Sequence, residues 1–278
     1  MTAIVLVLQH PDIARCDLSA LPSADLVSAS VARIKVDAGF SLSEQAAAAL
    51  AAQQIDYAVL PDRNFADLGL IVSDMDSTLI TIECIDEIAA GVGLKDKVAE
   101  ITERSMRGEM DFAQSLTERV ALLEGLDEGV LQSVYDNILK LSPGAEYLIA
   151  ECKRHEVKFL LVSGGFTFFT DRLQQQLGID YAYANVLEIV DGKLTGKLKG
   201  RMIDAQAKAD LLCEHQEALG LTPEQVLADP RLQSLDGLPA PTLPALGRGL
   251  GMQPVSQPEA FAAQWDASWQ DRQNGRTA

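Results

Sequence analysis

The chain is predicted to be an α/β protein: a parallel sheet with a helical cap inserted after its first strand, preceded by a small α/β module. Three observations predict this. Apolar runs of buried-strand type occur at residues 68–73, 157–162 and 225–228, with helical segments between them. Between the first two, residues 84–140 show only helical periodicity, too long for a plain crossover and of the right kind for a cap. Residues 1–66 alternate short β-rich runs with one Ala-rich helical stretch, and read as a unit of their own.

Within residues 1–66, strands are expected at 4–8, 27–36 and 57–60, and a helix at 42–53. The core unit opens with the run 68–73, which ends in the acidic cluster Asp74-Met75-Asp76. After the cap, Pro143 suits the first turn of a helix. The run 157–162 ends at Ser163-Gly164-Gly165 and leads into a helix closed by Gly178. Asp191-Gly192, between the apolar runs of residues 188–196, is a two-residue hairpin turn. Asp204 is placed to cap a further helix that Gly220 ends, and residues 225–228 return to a strand. Residues 229–278 then hold six of the 11 prolines and both tryptophans and lose periodicity, so this divergent Pro-rich segment is expected to be loosely ordered. The expected organisation is therefore 1–66, 67–228 with its cap at about 84–140, and 229–278.

Composition narrows the function. A chain of 278 residues, 47% hydrophobic and 23% charged, has the profile of a soluble globular protein of roughly two domains. Cys16, Cys84, Cys152 and Cys213 lie far apart without a CxxC pair, as suits a reducing compartment, and three histidines leave little for zinc. The first residues lack a basic segment before the run 4–8, so neither a signal peptide nor a membrane span is expected and the predicted address is cytoplasmic. Twenty-three basic against 40 acidic residues give a net charge of −17, which argues against nucleic-acid and anionic-membrane partners. Such a chain handles a phosphate only through a local cationic site.

The chemistry-bearing residues fall where strands end. Carboxylates at the carboxyl ends of parallel strands lie at the open edge of the sheet, the usual ligand site of an α/β fold, and Asp74 and Asp76 are so placed. Two residues apart in a turn, they can converge on one metal ion or one reacting group. Ser163-Gly164-Gly165 offers a hydroxyl and unobstructed N–H groups that suit a phosphate oxygen. Lys208 lies on the first turns of a helix, where the helix dipole does not favour a cation. In the cap, Arg119 follows Phe112 by seven residues, which puts both on one helical face alongside the stripe Leu116, Val120 and Leu123.

At these positions the sequence resembles the phosphoserine phosphatases of the haloacid-dehalogenase superfamily. Residues 74–79 are similar to that superfamily's nucleophile motif, residues 160–165 to its second motif and Lys208 to its third; the likeness runs from about residue 68 to 226. Residues 1–66 resemble, less distinctively, the amino-terminal module of some bacterial members. The resemblance implies a Rossmann-like core and a Mg²⁺-dependent phosphatase releasing L-serine from O-phospho-L-serine, the last step of serine biosynthesis. It implies that Asp74 becomes transiently phosphorylated and that Asp76 is the acid and base. Ser163, Gly164 and Lys208 would hold the phosphate. Glu83 would take the substrate ammonium, Arg119 its carboxylate, and Met106 and Phe112 would be further cap contacts. Asp74 and Asp76 would also ligate the metal. A homodimer is a further expectation for the partners.

The resemblance breaks at the fourth motif, where the family has a strand followed by Gly-Asp-Gly-x-Asn-Asp. Here the strand 225–228 is followed by Asp229-Pro230-Arg231 and no such motif occurs in the chain. Asp229, at the strand end, is preferred for the missing metal position over Asp236. Two alternatives stand beside the phosphatase: a relative that binds phosphoserine or serine without turnover, which that gap favours, and a phosphotransferase using the same aspartyl-phosphate.

Overall fold

A computed structural model describes residues 4–37 and 39–228, which divide into two compact units at the boundary between Phe65 and Ala66. The first unit is an antiparallel sheet of four strands, β1 (Ile4–Gln9), β2 (Asp25–Leu26), β3 (Val31–Val36) and β4 (Asp56–Pro61), in the order β2-β3-β1-β4. One helix, α1 (Glu44–Ala52), joins β3 to β4; it starts at Ser43, whose Oγ accepts from the Ala46 N–H. Alternation along β1 buries Leu6 and Leu8 with Ala32, Ile34, Leu50 and Ile55. The strand expected over 27–36 is shortened to β3, which begins only at Val31. The Val27 and Ser28 N–H groups both bond to the Val31 carbonyl and Ser30 N–H bonds to Ser28 Oγ, so the chain reverses through Ser28-Ala29-Ser30.

The second unit holds the sheet β8-β7-β6-β5-β9, built from β5 (Leu70–Ser73), β6 (Lys158–Phe166), β7 (Tyr181–Val190), β8 (Lys193–Lys199) and β9 (Val226–Leu227). The pairs β9-β5, β5-β6 and β6-β7 are parallel, and β8 returns antiparallel through the Asp191-Gly192 turn, where both residues have positive φ. Strands β6 and β9 leave β5 on opposite sides, which opens a crevice at the carboxyl end of β5. Four helices, α2 (Cys84–Gly91), α3 (Lys95–Met106), α4 (Phe112–Ala121) and α5 (Gly129–Asn137), follow β5 in the stretch expected to form the cap. Core helices are α6 (Ala145–Arg154), α7 (Thr167–Leu177) and α8 (Ala205–Ala218). The fully buried Phe159, Phe166 and Phe169 anchor β6 and α7 in the core.

Three local expectations are corrected. β6 does not stop before Ser163 but runs on to Phe166, because Phe166 pairs with Asn185 of β7 beyond a register shift. Pro143 precedes α6 instead of occupying its first turn; Gly144, at φ +85, takes the N-cap and only then does the helix begin. The strand expected over 225–228 is reduced to β9, since a helical turn over Pro223–Gln225, with Thr222 and Gln225 capping each other, uses the first of those residues. The Pro-rich segment 229–278 lies outside the described residues, and with it Asp229 and Asp236. Among the described residues no helix is long and apolar enough to cross a membrane.

Candidate active site

A four-residue strand, with Leu70 and Ile71 buried, delivers Asp74 to the crevice. β5 ends at Ser73, and Asp74 Oδ1 accepts the N–H of Met75 at 2.7 Å, which starts a sharp turn. Met75 and Leu79 are buried under this turn; the Ile80 N–H closes it on the Met75 carbonyl at 3.1 Å. Ser77 takes φ +50 at its apex and its Oγ donates to Glu83 Oε1 at 2.6 Å. The turn therefore fixes Asp74, Asp76 and Glu83 relative to one another.

Lys208, 134 residues further along, completes an ion pair with Asp74: Nζ lies 2.6 Å from Oδ2, with side chains 17% and 25% exposed. Local structure explains how a lysine reaches there. Asp204 accepts the Ala207 N–H and so starts α8, while Ala207 and Leu212 bury one face of it. Lys208, on the first turn, is thereby aimed along the sheet edge.

Asp76 lies deeper. Its Oδ1 accepts the Cys84 N–H at 3.2 Å. Burial pushes its carboxyl up to about 7; the Cys84 hydrogen bond opposes this, and the neighbouring charges of Glu83 and Asp74 reinforce it. Glu83 and Asp86 are also raised by burial, with Ser77 opposing the shift at Glu83 and Arg119 opposing it at Asp86. Arg119 stands among them on α4, its Nε donating to the Ser115 carbonyl at 3.3 Å; burial lowers its pKa, and Asp86, then Glu83 and Asp76, raise it.

The Ser163-Gly164-Gly165 segment abuts the turn. A Cβ on Gly165 would sit 2.6 Å from Asp76 Oδ2, 2.9 Å from Met75 Cε and 3.1 Å from Ser163 Oγ, so only glycine allows this approach. Ser163 is buried and its Oγ accepts the Gly165 N–H at 2.9 Å, which leaves its own proton to donate. Phe112 of the cap closes over the next residue: its Cζ would be 3.0 Å from a Cβ on Gly164.

The residues singled out in the sequence thus fall into two groups. Asp74, Asp76, Ser163, Gly164 and Lys208 surround the carboxyl end of β5, while Glu83, Phe112 and Arg119 face them from the cap side. Met106 ends α3, its side chain outside the described residues. Sequence reasoning missed Ser77, Asp86 and the Cys84 N–H. Asp86 carried a signal, standing three residues from Glu83 and so on a neighbouring position of one helix face.

Asp74 and Asp76 offer the hard oxygen donors that suit Mg²⁺. Among the described residues they are not joined by a third acidic, histidine or cysteine ligand. The donor chemistry fits such an ion in kind, with two candidate ligands among the described residues.

Comparison with known proteins follows this geometry. Residues 71–228 match the haloacid dehalogenase-like hydrolase model, and the chain belongs to that family. Within the family its relatives are phosphoserine phosphatases. It is 50% identical over 173 residues to the one of Polaromonas sp. strain JS666, covering 60% of this chain and 73% of that one. It is 51% identical over 159 residues to that of Archaeoglobus fulgidus, covering 57% of this chain but only 46% of the relative. The unliganded probable phosphoserine phosphatase from Vibrio cholerae superposes with a TM-score of 0.71 at 30% identity, over 97% of this chain and 89% of that chain. A phosphoserine phosphatase solved as a phospho-aspartyl intermediate analogue superposes at 0.54, with 37% identity over 57% of this chain and 76% of that one. The chain is thus a haloacid dehalogenase-like hydrolase similar to phosphoserine phosphatases.

Proposed function

We propose that the protein hydrolyses O-phospho-L-serine to L-serine and phosphate through a phosphorylated Asp74, in the cytoplasm and as the last step of serine biosynthesis. The observation that carries this reading is the Lys208–Asp74 contact, beside an Asp76 whose carboxyl burial pushes up to about 7. A carboxylate approaching a phosphate dianion at 4 Å meets repulsion of about 8 kcal/mol at an effective dielectric near 20, and Lys208 offsets part of it.

In the first step a bond forms between Asp74 and phosphorus as the bond from phosphorus to the serine oxygen breaks. The Asp76 proton passes to the departing oxygen. In the second, water attacks phosphorus, Asp76 takes its proton, and the bond to Asp74 breaks. Ser163 donates its free proton to a phosphate oxygen. Glu83 faces the substrate ammonium and Arg119 its carboxylate, so the cap reads the amino-acid end while the sheet edge holds the phosphate. Asp74 and Asp76 would hold Mg²⁺, with Asp229 as the proposed third ligand; when bound, the ion supplies further positive charge at the phosphate oxygens. The relative solved as a phospho-aspartyl intermediate analogue supports the covalent route.

A phosphate-release assay on phosphoserine, with Mg²⁺ titrated from zero, tests the reading. Metal-dependent release sustains it; saturable binding without release replaces it by a binding relative, the alternative favoured by the missing fourth motif. Release that accelerates on adding a hydroxyl acceptor, with the acceptor phosphorylated, replaces it by a phosphotransferase.

A further inference from the structure

Asn185, in β7, is a buried polar residue that the proposed chemistry does not use: it is 1% exposed and all its hydrogen bonds go to backbone. Its Nδ2 donates to the Gly164 carbonyl at 2.8 Å and lies 3.5 Å from the Ile203 carbonyl, and its Oδ1 accepts the Ile203 N–H at 2.8 Å. One carboxamide thus joins two segments that are 39 residues apart, the Ser163-Gly164-Gly165 segment and the entry to α8.

Each junction is next to a phosphate-facing group. The peptide unit linking Gly164 to Gly165 is gripped at both ends, its carbonyl by Asn185 and its N–H by Ser163 Oγ at 2.9 Å. That grip sets which way the Ser163 hydroxyl can donate. On the other side, Ile203 is followed by Asp204, the residue whose side chain starts α8 and whose carbonyl accepts the Lys208 N–H at 3.0 Å. Displacing Ile203 shifts the cap residue and, with it, the first turn that carries Lys208. A strand position alternating with apolar neighbours has no need of an amide for packing alone, since an aliphatic side chain fills the same space without polar groups to satisfy.

We infer that Asn185 is a positioning residue that holds the Ser163 and Lys208 arms in register around Asp74. The inference rests on the phosphatase reading for its kinetic consequence, but not for its structural one. Full-length wild type, Asn185→Ala and Asn185→Asp are compared by amide hydrogen exchange without substrate and by phosphoserine turnover with Mg²⁺. In Asn185→Ala, the Gly165 amide and the Ala207 and Lys208 amides are each expected to lose protection by about tenfold, the equivalent of one buried hydrogen bond. In Asn185→Asp, which retains an acceptor for the Ile203 N–H, the loss is expected at Gly165 and not in α8. Turnover should fall by about 10- to 100-fold with KM changed less than about threefold, because Glu83 and Arg119 lie on neither arm. Unchanged protection at either arm in Asn185→Ala, unchanged protection of the Gly165 amide in Asn185→Asp, or an unchanged kcat in a variant that has lost protection, would overturn the inference. Wild type without phosphate release defeats the phosphatase reading instead, and the exchange comparison still decides the tether. Should Asn185→Ala fail to fold, Asn185→Asp carries both measurements.

Discussion

Asp76→Asn is expected to lose turnover while gaining stability, and the gain is set by pH. Burial lifts the Asp76 carboxyl from its ordinary 3.8 to about 7. The native state therefore binds this proton more tightly than the unfolded chain does, and stability falls as pH rises through that interval. Three pH units correspond to about 4 kcal/mol. Since the residue is partly open to solvent, a discounted cost of ~2–4 kcal/mol at pH 8 is the working figure. Asparagine keeps an acceptor for the Cys84 N–H and has no charge to bury. Urea unfolding followed by circular dichroism, in chelator at pH 4 and pH 8, should therefore show the variant more stable by about 2–4 kcal/mol at pH 8 and by about zero at pH 4. Phosphoserine turnover should drop by roughly 10²- to 10⁴-fold, the usual contribution of a general acid and base. A variant equally stabilised at both pH values, or destabilised at pH 8, refutes the buried protonated carboxyl.

Other variants probe the remaining parts. Asp74→Asn should stay folded with turnover near background; comparable phosphate release from variant and wild type would remove Asp74 as nucleophile. Arg119→Ala should lower the preference for phosphoserine over a simple aryl phosphate by at least about tenfold, since only the former has a carboxylate to clamp; the ratio of the two kcat/KM values decides. Gly165→Ala drives a methyl group into Asp76 and Met75, and should cost about 1–3 kcal/mol in unfolding free energy together with activity. Burial pushes the Cys84 thiol far above its ordinary value, so native protein treated with iodoacetamide at pH 8 should be modified at the exposed Cys213 and spared at Cys84, as peptide mass mapping will reveal.

What the sequence makes legible is what periodicity and caps encode. The strand ahead of Asp74 is a run of apolar residues, and α8 is announced by Asp204 and ended by Gly220; these two devices bring Lys208 to Asp74 across 134 residues. The features that sequence reading missed act through backbone groups. Nothing in the letters marks the Cys84 N–H as the donor to Asp76, because every residue but proline has one. β6 runs through two glycines against their propensity, since its continuation is decided by pairing with β7, a tertiary event. Likewise Ser28-Ala29-Ser30 sits in a β-rich run, and its reversal becomes visible only when Val27 and Ser28 bond back to Val31. Asn185 left one trace, a lone amide between Ala184 and Val186 in an otherwise strand-like run.

The charges of the described site bear on how the proposed substrate would be held. Asp74, Glu83 and Asp86 count as three negative charges and Lys208 and Arg119 as two positive ones, with Asp76 close to half protonated near pH 7. A phosphoserine brings a dianionic phosphate, a carboxylate and an ammonium, so the assembled site would be about three to four charges negative in a partly dry crevice. In the proposed complex the substrate ammonium would pair with Glu83 and Asp86 and its carboxylate with Arg119, so these two ends balance. Only the phosphate end is left in excess, next to two aspartates and one lysine. This is the end at which oxygen donors for a divalent cation are found. Phosphoserine affinity should accordingly rise at least tenfold when Mg²⁺ is added to metal-stripped protein, whereas serine affinity should barely change; isothermal titration of both ligands with and without the ion separates the two, and an equal response would show that the excess charge lies elsewhere.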